Sequence, residues 1–202
     1  MWRLTILSGI LALLLTPAAT AQESRSEISV QGTGFFTQSS SGNGSAYSTT
    51  ETGGVLGTYR YHLNHWISAE GAYGYDSNSQ KYLLSSSGFR IQSGIHQVTG
   101  SLVFNLPSRA SSRLNPYFLA GGGALMFEPT GNQFNTLPGA HGQAKGVFVY
   151  GAGVNYAIRK RLSLRLEYRG LVYGTPDFGF GALNTNSITH TAVPSVGLTY
   201  RF

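Results

Sequence analysis

Over most of the chain, apolar and polar residues alternate one by one. In the last nine residues Val196, Leu198, Tyr200 and Phe202 form an apolar set, and Ser195, Gly197, Thr199 and Arg201 a small or polar one. A repeat of two is the side-chain period of a β-strand, and it argues against helix. Eight segments carry it, near residues 28–36, 53–61, 66–75, 95–105, 117–127, 147–156, 162–173 and 188–202. The pattern predicts an all-β chain of eight antiparallel strands.

Charges decide which face is which. In the seventh segment Leu162, Leu164, Leu166 and Tyr168 share one side, while Ser163, Arg165, Glu167 and Arg169 share the other. Three charges on one face cannot meet lipid, so they point inward and the leucines outward. The same parity puts Val55, Tyr59 and Tyr61 outside with Thr58 and Arg60 inside, and Ile67, Ala69, Tyr73 and Tyr75 outside with Ser68 and Glu70 inside. A soluble lipocalin-like barrel would reverse this, with its apolar face inward. Connections alternate as well. Those after the first, third, fifth and seventh segments are long and rich in Ser, Gly, Asn and Thr, whereas His62 to His65 and Ile158 to Arg161 are tight; Leu106 to Asn115 is longer but polar. Long loops at one end and short turns at the other describe an eight-stranded antiparallel up-and-down transmembrane β-barrel with a polar interior. Tyr61, Tyr156, Tyr200 and Phe202 are expected to form one aromatic girdle, and Phe36, Tyr75, Phe127 and Tyr173 the other. Pro194 lacks a ladder donor and is expected at a bulge or where the last strand leaves the bilayer.

Composition narrows the class. Only 11 % of residues are charged, 27 are glycine, and Tyr and Phe number 12 and 11. Low charge without a long apolar run fits a barrel, whose apolar residues are hidden by alternation. With no cysteine, disulfides, thiolate metal sites and thiol catalysis are excluded. The net charge of +6 is diffuse, and Arg159-Lys160-Arg161 is a short cluster, too little for nucleic acid. At the start, Met1-Trp2-Arg3, an apolar run from Leu4 to Leu15 and Ala19-Thr20-Ala21 have the layout of a secretory signal peptide, the run being too short to span a bilayer. Residues 1–21 are therefore expected to be removed, leaving 22–202 as one barrel domain.

Two resemblances follow. The terminal Phe202, closing an alternating strand, resembles the signal by which outer-membrane barrels are handed to their assembly machinery in Gram-negative bacteria. Gly53-Gly54 with Tyr59-Arg60-Tyr61, Glu70-Gly71-Ala72-Tyr73-Gly74-Tyr75, Tyr150-Gly151-Ala152-Gly153, Arg165-Leu166-Glu167-Tyr168-Arg169 and Val196 to Phe202 resemble the repeated motifs of small OmpA-type outer-membrane β-barrel proteins. The resemblance implies an outer-membrane location with both termini in the periplasm and long loops outside. It implies a monomer among outer-membrane lipids and lipopolysaccharide, with no cofactor. No peptidoglycan-binding domain follows the last strand in this sequence, so cell-wall anchoring is not implied.

Arg60, Glu70, Arg165, Glu167, Arg169 and Arg201 are the candidate lumen residues. An eight-stranded barrel is only wide enough for its own side chains, so they are expected to form a salt-bridge plug. Glu70 and Glu167 are expected to share Arg60, Arg165, Arg169 and Arg201, with two positive charges in excess. His62 and His65 bracket a tight turn and are not expected to bind metal. His96 and His190 with Ser187 are the residues a lipid A-modifying enzyme would need, but the two histidines lie on opposite walls and no acid is near either in sequence. The expectation is a non-enzymatic barrel with a structural or surface-interaction role, its loops offering Tyr47, Lys81, Tyr82, Phe134, Phe178 and Phe180 as candidate contacts. The alternative is a small channel for hydrophobic or small polar solutes.

Overall fold

The computed structural model describes residues 25–42, 45–84, 87–107, 112–130, 141–178 and 187–202. The expected signal peptide, Phe134 and Phe180 lie outside them. Eight long strands make the wall: β1 (Ser26–Thr37), β4 (Thr52–His62), β5 (Ile67–Leu84), β6 (Ser87–Asn105), β7 (Leu114–Pro129), β8 (Gln143–Ala157), β9 (Leu162–Gly174) and β10 (Ile188–Arg201). Each pairs antiparallel with its neighbours, β5 pairs β6, and β1 pairs β10 from Glu27↔Arg201 to Thr37↔Thr191, so the sheet closes without an edge. A short hairpin, β2 (Ser40–Gly42) and β3 (Ser45–Thr49), continues along β5 beyond the end of β4.

Much of the long connection expected after the third segment is instead ladder in the described residues. β5 and β6 stay paired from Ile67↔Phe104 to Leu84↔Ser87. The alternation fades at Asp76-Ser77-Asn78-Ser79-Gln80, where β5 runs on past its last pair with β4, Gly54↔Asp76. In β7, a Cβ at Gly121 or Gly123 would run into the Gly100 or Val98 backbone of β6. These glycines permit the close, strongly coiled approach that a small barrel needs.

Pro194 departs in part from expectation. On the β9 side the register runs unbroken through Val193↔Arg169, Pro194↔Tyr168 and Ser195↔Glu167. On the β1 side pairing stops at Thr33↔Ser195 and resumes at Phe36↔Ala192 in the same register. No residue is inserted, so there is no bulge. Loss of the proline donor interrupts one ladder only.

Facing follows the parity set by the charges: Val196, Leu198, Tyr200 and Phe202 are exposed, while Arg60, Glu70, Arg165, Glu167 and Arg169 are buried. The interior, however, is not polar throughout. Toward the end away from the termini it is filled by Phe35, Ile91, Ile95, Leu125, Phe127, Val147, Val149, Leu171, Tyr173, Phe178 and Val193. Phe127 and Tyr173 are therefore not girdle residues. They share the odd parity of Tyr117 and Arg169, point inward and pack with ring centroids 5.9 Å apart. Phe178, from the loop after β9, caps this layer edge-on to Phe127 at 6.3 Å. Its φ of 52° is left-handed, uncommon for a bulky residue. The Gln143 side chain accepts from the backbone N–H groups of Asp177 and Phe178 and holds the turn.

Candidate functional site

The charged floor of the lumen is built from two crossing rows. Around the wall, Arg201, Glu27, Arg60 and Glu70 are successive register partners on β10, β1, β4 and β5, so four alternating charges stand side by side. On β9, which adjoins β10 and stands opposite β5 in the ring, Arg165, Glu167 and Arg169 alternate two residues apart and hence all inward. The rows interlock across the lumen. Glu70 accepts from Arg60 Nε at 2.8 Å, Arg165 Nη1 at 3.3 Å and Arg169 Nη2 at 2.7 Å. Glu167 accepts from Arg169 Nε at 2.6 Å and from the Tyr117 hydroxyl at 2.5 Å, with Arg60 Nη2 at 3.8 Å. Tyr117 also lies under the Arg60 guanidinium, 4.2 Å from its ring centroid. The contact combines a cation–π face with a donating hydroxyl.

Glu27 is the acid that sequence reading omitted. It takes Arg165 Nη2 at 3.0 Å, and it, not Glu70 or Glu167, is the partner of Arg201. The Arg201 side chain is 47 % exposed, so it belongs to the rim and not to the lumen interior. Glu27 brings the buried groups to three arginines against three glutamates, and the expected excess shrinks to Arg201 alone. Buried charges this densely paired are costly to separate, because any one removed leaves its partner desolvated.

A second chain of contacts has the order of a hydrolytic triad. Ser68 Oγ lies 2.8 Å from His62 Nδ1, and His62 Nε2 lies 2.8 Å from Glu27 Oε1. Its chemistry is structural. Ser68 is fully buried, its Oγ already accepts from Asn105 Nδ2 at 3.0 Å, and the Glu27 carboxylate is held by two arginines. No reacting carbonyl can reach such a serine. His65, three residues on, packs beside Trp66 at 5.4 Å.

His96 and His190 face outward on β6 and β10. His96 Nδ1 meets the Tyr73 hydroxyl at 2.8 Å, and His190 Nε2 that of Tyr150 at 3.0 Å. An acid does come near His96: Glu128, from the adjoining β7, stands 3.7 Å away, which sequence distance had hidden. The two histidines remain on opposite walls, four strands apart in the ring. The Ser187 carbonyl accepts from the Thr175 backbone where β10 begins. At the other end, Phe202 exchanges backbone hydrogen bonds with Ser26 at 2.9 and 3.3 Å, and its exposed ring stacks on Tyr200 at 6.4 Å.

The fold is similar to that of several solved bacterial surface and outer-membrane proteins. Neisserial surface protein A superposes with a TM-score of 0.59 at 16 % identity, over 87 % of this chain and 97 % of that one. OprG of Pseudomonas aeruginosa gives 0.58 at 16 % over 90 % and 97 %. Ail, the attachment invasion locus protein of Yersinia pestis, gives 0.52 at 18 % over 90 % and 100 %. No curated protein matches the chain. The family described as outer membrane protein beta-barrel domain matches residues 8–202, nearly the whole sequence, and the chain belongs to it.

Proposed function

We propose that the protein is a monomeric, non-catalytic outer-membrane barrel with a structural or surface-interaction role, its lumen closed by side chains. The termini and the tight turns lie in the periplasm, and the β5–β6 hairpin and neighbouring loops reach outside. Residues 1–21 direct export, and Phe202 addresses the chain to the assembly machinery. The observation that carries the reading is the double closure of the interior: Arg60, Arg165 and Arg169 are fully buried against Glu27, Glu70 and Glu167, and an apolar layer under Phe178 lies above them. Ail, of like fold, is named for attachment, which is consistent with loops that bind. Purified protein in planar bilayers tests the closure, with no steady conductance expected. A steady single-channel current would overturn it.

One observation favours a small channel as second reading. Where pairing between β1 and β10 is interrupted, Gly32, Gly34, Gly53, Gly54 and Pro194 line an outward depression of about 650 Å³, a thin place in the wall through which a small apolar solute could pass sideways. Cross-linking β1 to β10 there separates the readings, because only a lateral path would lose solute uptake.

A further inference from the structure

Among the described residues, exposed charges are divided unequally between the two ends of the barrel. At the end carrying the termini, Arg25, Arg113, Arg159, Lys160 and Arg161 are exposed, and none has an ion-pair partner among the described residues. The acidic side chain nearest that rim, Glu27, is 3 % exposed and already engaged by Arg165 and Arg201. At the opposite end the exposed Glu51 and Glu128 accompany Lys81, with Asp177 and Lys145 half-buried. Five unpaired like charges on one rim repel one another unless an anion answers them.

Their neighbours indicate which anion. Leu114 and Ile158 are exposed next to Arg113 and Arg159, and Leu63 and Trp66 on the β4–β5 turn at the same end, just beyond the lipid-facing Tyr61, Tyr156 and Tyr200. Cations interleaved with apolar side chains at an aromatic belt match the phosphate layer of a bilayer, where long side chains extend from hydrocarbon to headgroup. A dissolved anion fits less well. The concave mouth of about 890 Å³ takes in Arg25, Lys160 and Arg201, while Arg113, Arg159 and Arg161 do not line it.

We propose that this rim binds the headgroups of anionic phospholipids, with Arg159-Lys160-Arg161 in the β8–β9 turn as its densest point. The turn is fixed by backbone bonds, Ile158 and Arg159 N–H to the Leu162 carbonyl at 3.0 and 2.9 Å, which leaves Arg159 and Arg161, outside the mouth, to the lipid, with Lys160 at the edge of the mouth between them. Assigning the leaflet as the inner one rests on the orientation proposed above, whereas headgroup binding does not.

The test uses the full barrel in nanodiscs of phosphatidylcholine with a minority of phosphatidylglycerol, the retained lipids being counted by native mass spectrometry. The native protein should retain phosphatidylglycerol above its share in the disc. Replacing all three by glutamine (Arg159→Gln, Lys160→Gln, Arg161→Gln) should lower that enrichment on the order of tenfold. Arg159→Lys with Arg161→Lys should preserve it, and Arg113→Gln, on a separate turn, should lower it less. Heat-modifiability confirms that each variant is folded. Absence of enrichment in the native protein, or equal enrichment in the triple variant, overturns the proposal. Inorganic phosphate binding in neutral discs without a phosphatidylglycerol preference also overturns it, in favour of a soluble anion.

Discussion

Glu70→Gln keeps the shape of the side chain and removes one negative charge from the floor of the lumen. Glu70 is the acceptor shared by Arg60, Arg165 and Arg169, at 2.7 to 3.3 Å, so the change leaves three buried guanidinium groups facing two carboxylates. Breaking a buried pair costs about 3 to 5 kcal/mol, whereas an exposed charge such as Glu51 is worth about 0 to 1. For a chain of this size, 1 kcal/mol moves the unfolding midpoint by about 2 to 4 °C, so Glu70→Gln should fall by roughly 6 to 20 °C. The assay follows loss of the compact band with temperature in a heat-modifiability gel, with Glu51→Gln as control. Adding Arg60→Gln should recover part of the loss, because it removes one of the cations left without a partner. Coincident midpoints for Glu70→Gln and Glu51→Gln would show that the floor is solvated and refute the reasoning.

Tyr117→Phe removes the donor to Glu167 but keeps the ring under Arg60, so urea unfolding in detergent should show a loss of about 1 to 3 kcal/mol, and Tyr117→Leu a larger one. Gly123→Val would drive its Cβ into the Val98 carbonyl and should prevent the compact band from forming, whereas Gly146→Val, with open space at that position, should fold. Phe178→Ala removes the ring that caps the apolar layer; limited proteolysis of folded protein should speed up within residues 175–187 while the barrel midpoint holds. Protease added to intact cells should cut only within 37–51, 76–88, 128–145 or 174–187, and cleavage at Arg159 to Arg161 would reverse the orientation.

Parity was the legible part of this chain, because burying three charges on β9 leaves only one way to face the strand. The misreadings lie where parity was set aside or ran out. Phe127 and Tyr173 have inward parity, yet aromatic character near a strand end suggested a girdle. Glu27 continues the inward series Ser29, Gln31 and Thr33, but a strand begun at Ile28 cuts it off. Which arginine meets which glutamate depends on strand tilt and stagger, which alternation does not encode. That is why Arg201 was expected across the lumen and is found beside Glu27. The triad-like order of Ser68, His62 and Glu27 joins residues on three strands through the same stagger.

The charges of the floor enter the chain in two instalments. Glu27, Arg60 and Glu70 arrive with the first part, net −1, and Arg165, Glu167 and Arg169 only with β9, net +1. Neither set is neutral alone, and hydrocarbon tolerates neither. A sheet that has not yet received β9 is therefore held at the water interface, and crossing the bilayer and closing the ring become one cooperative step. The late strands act as the admission check on the early ones.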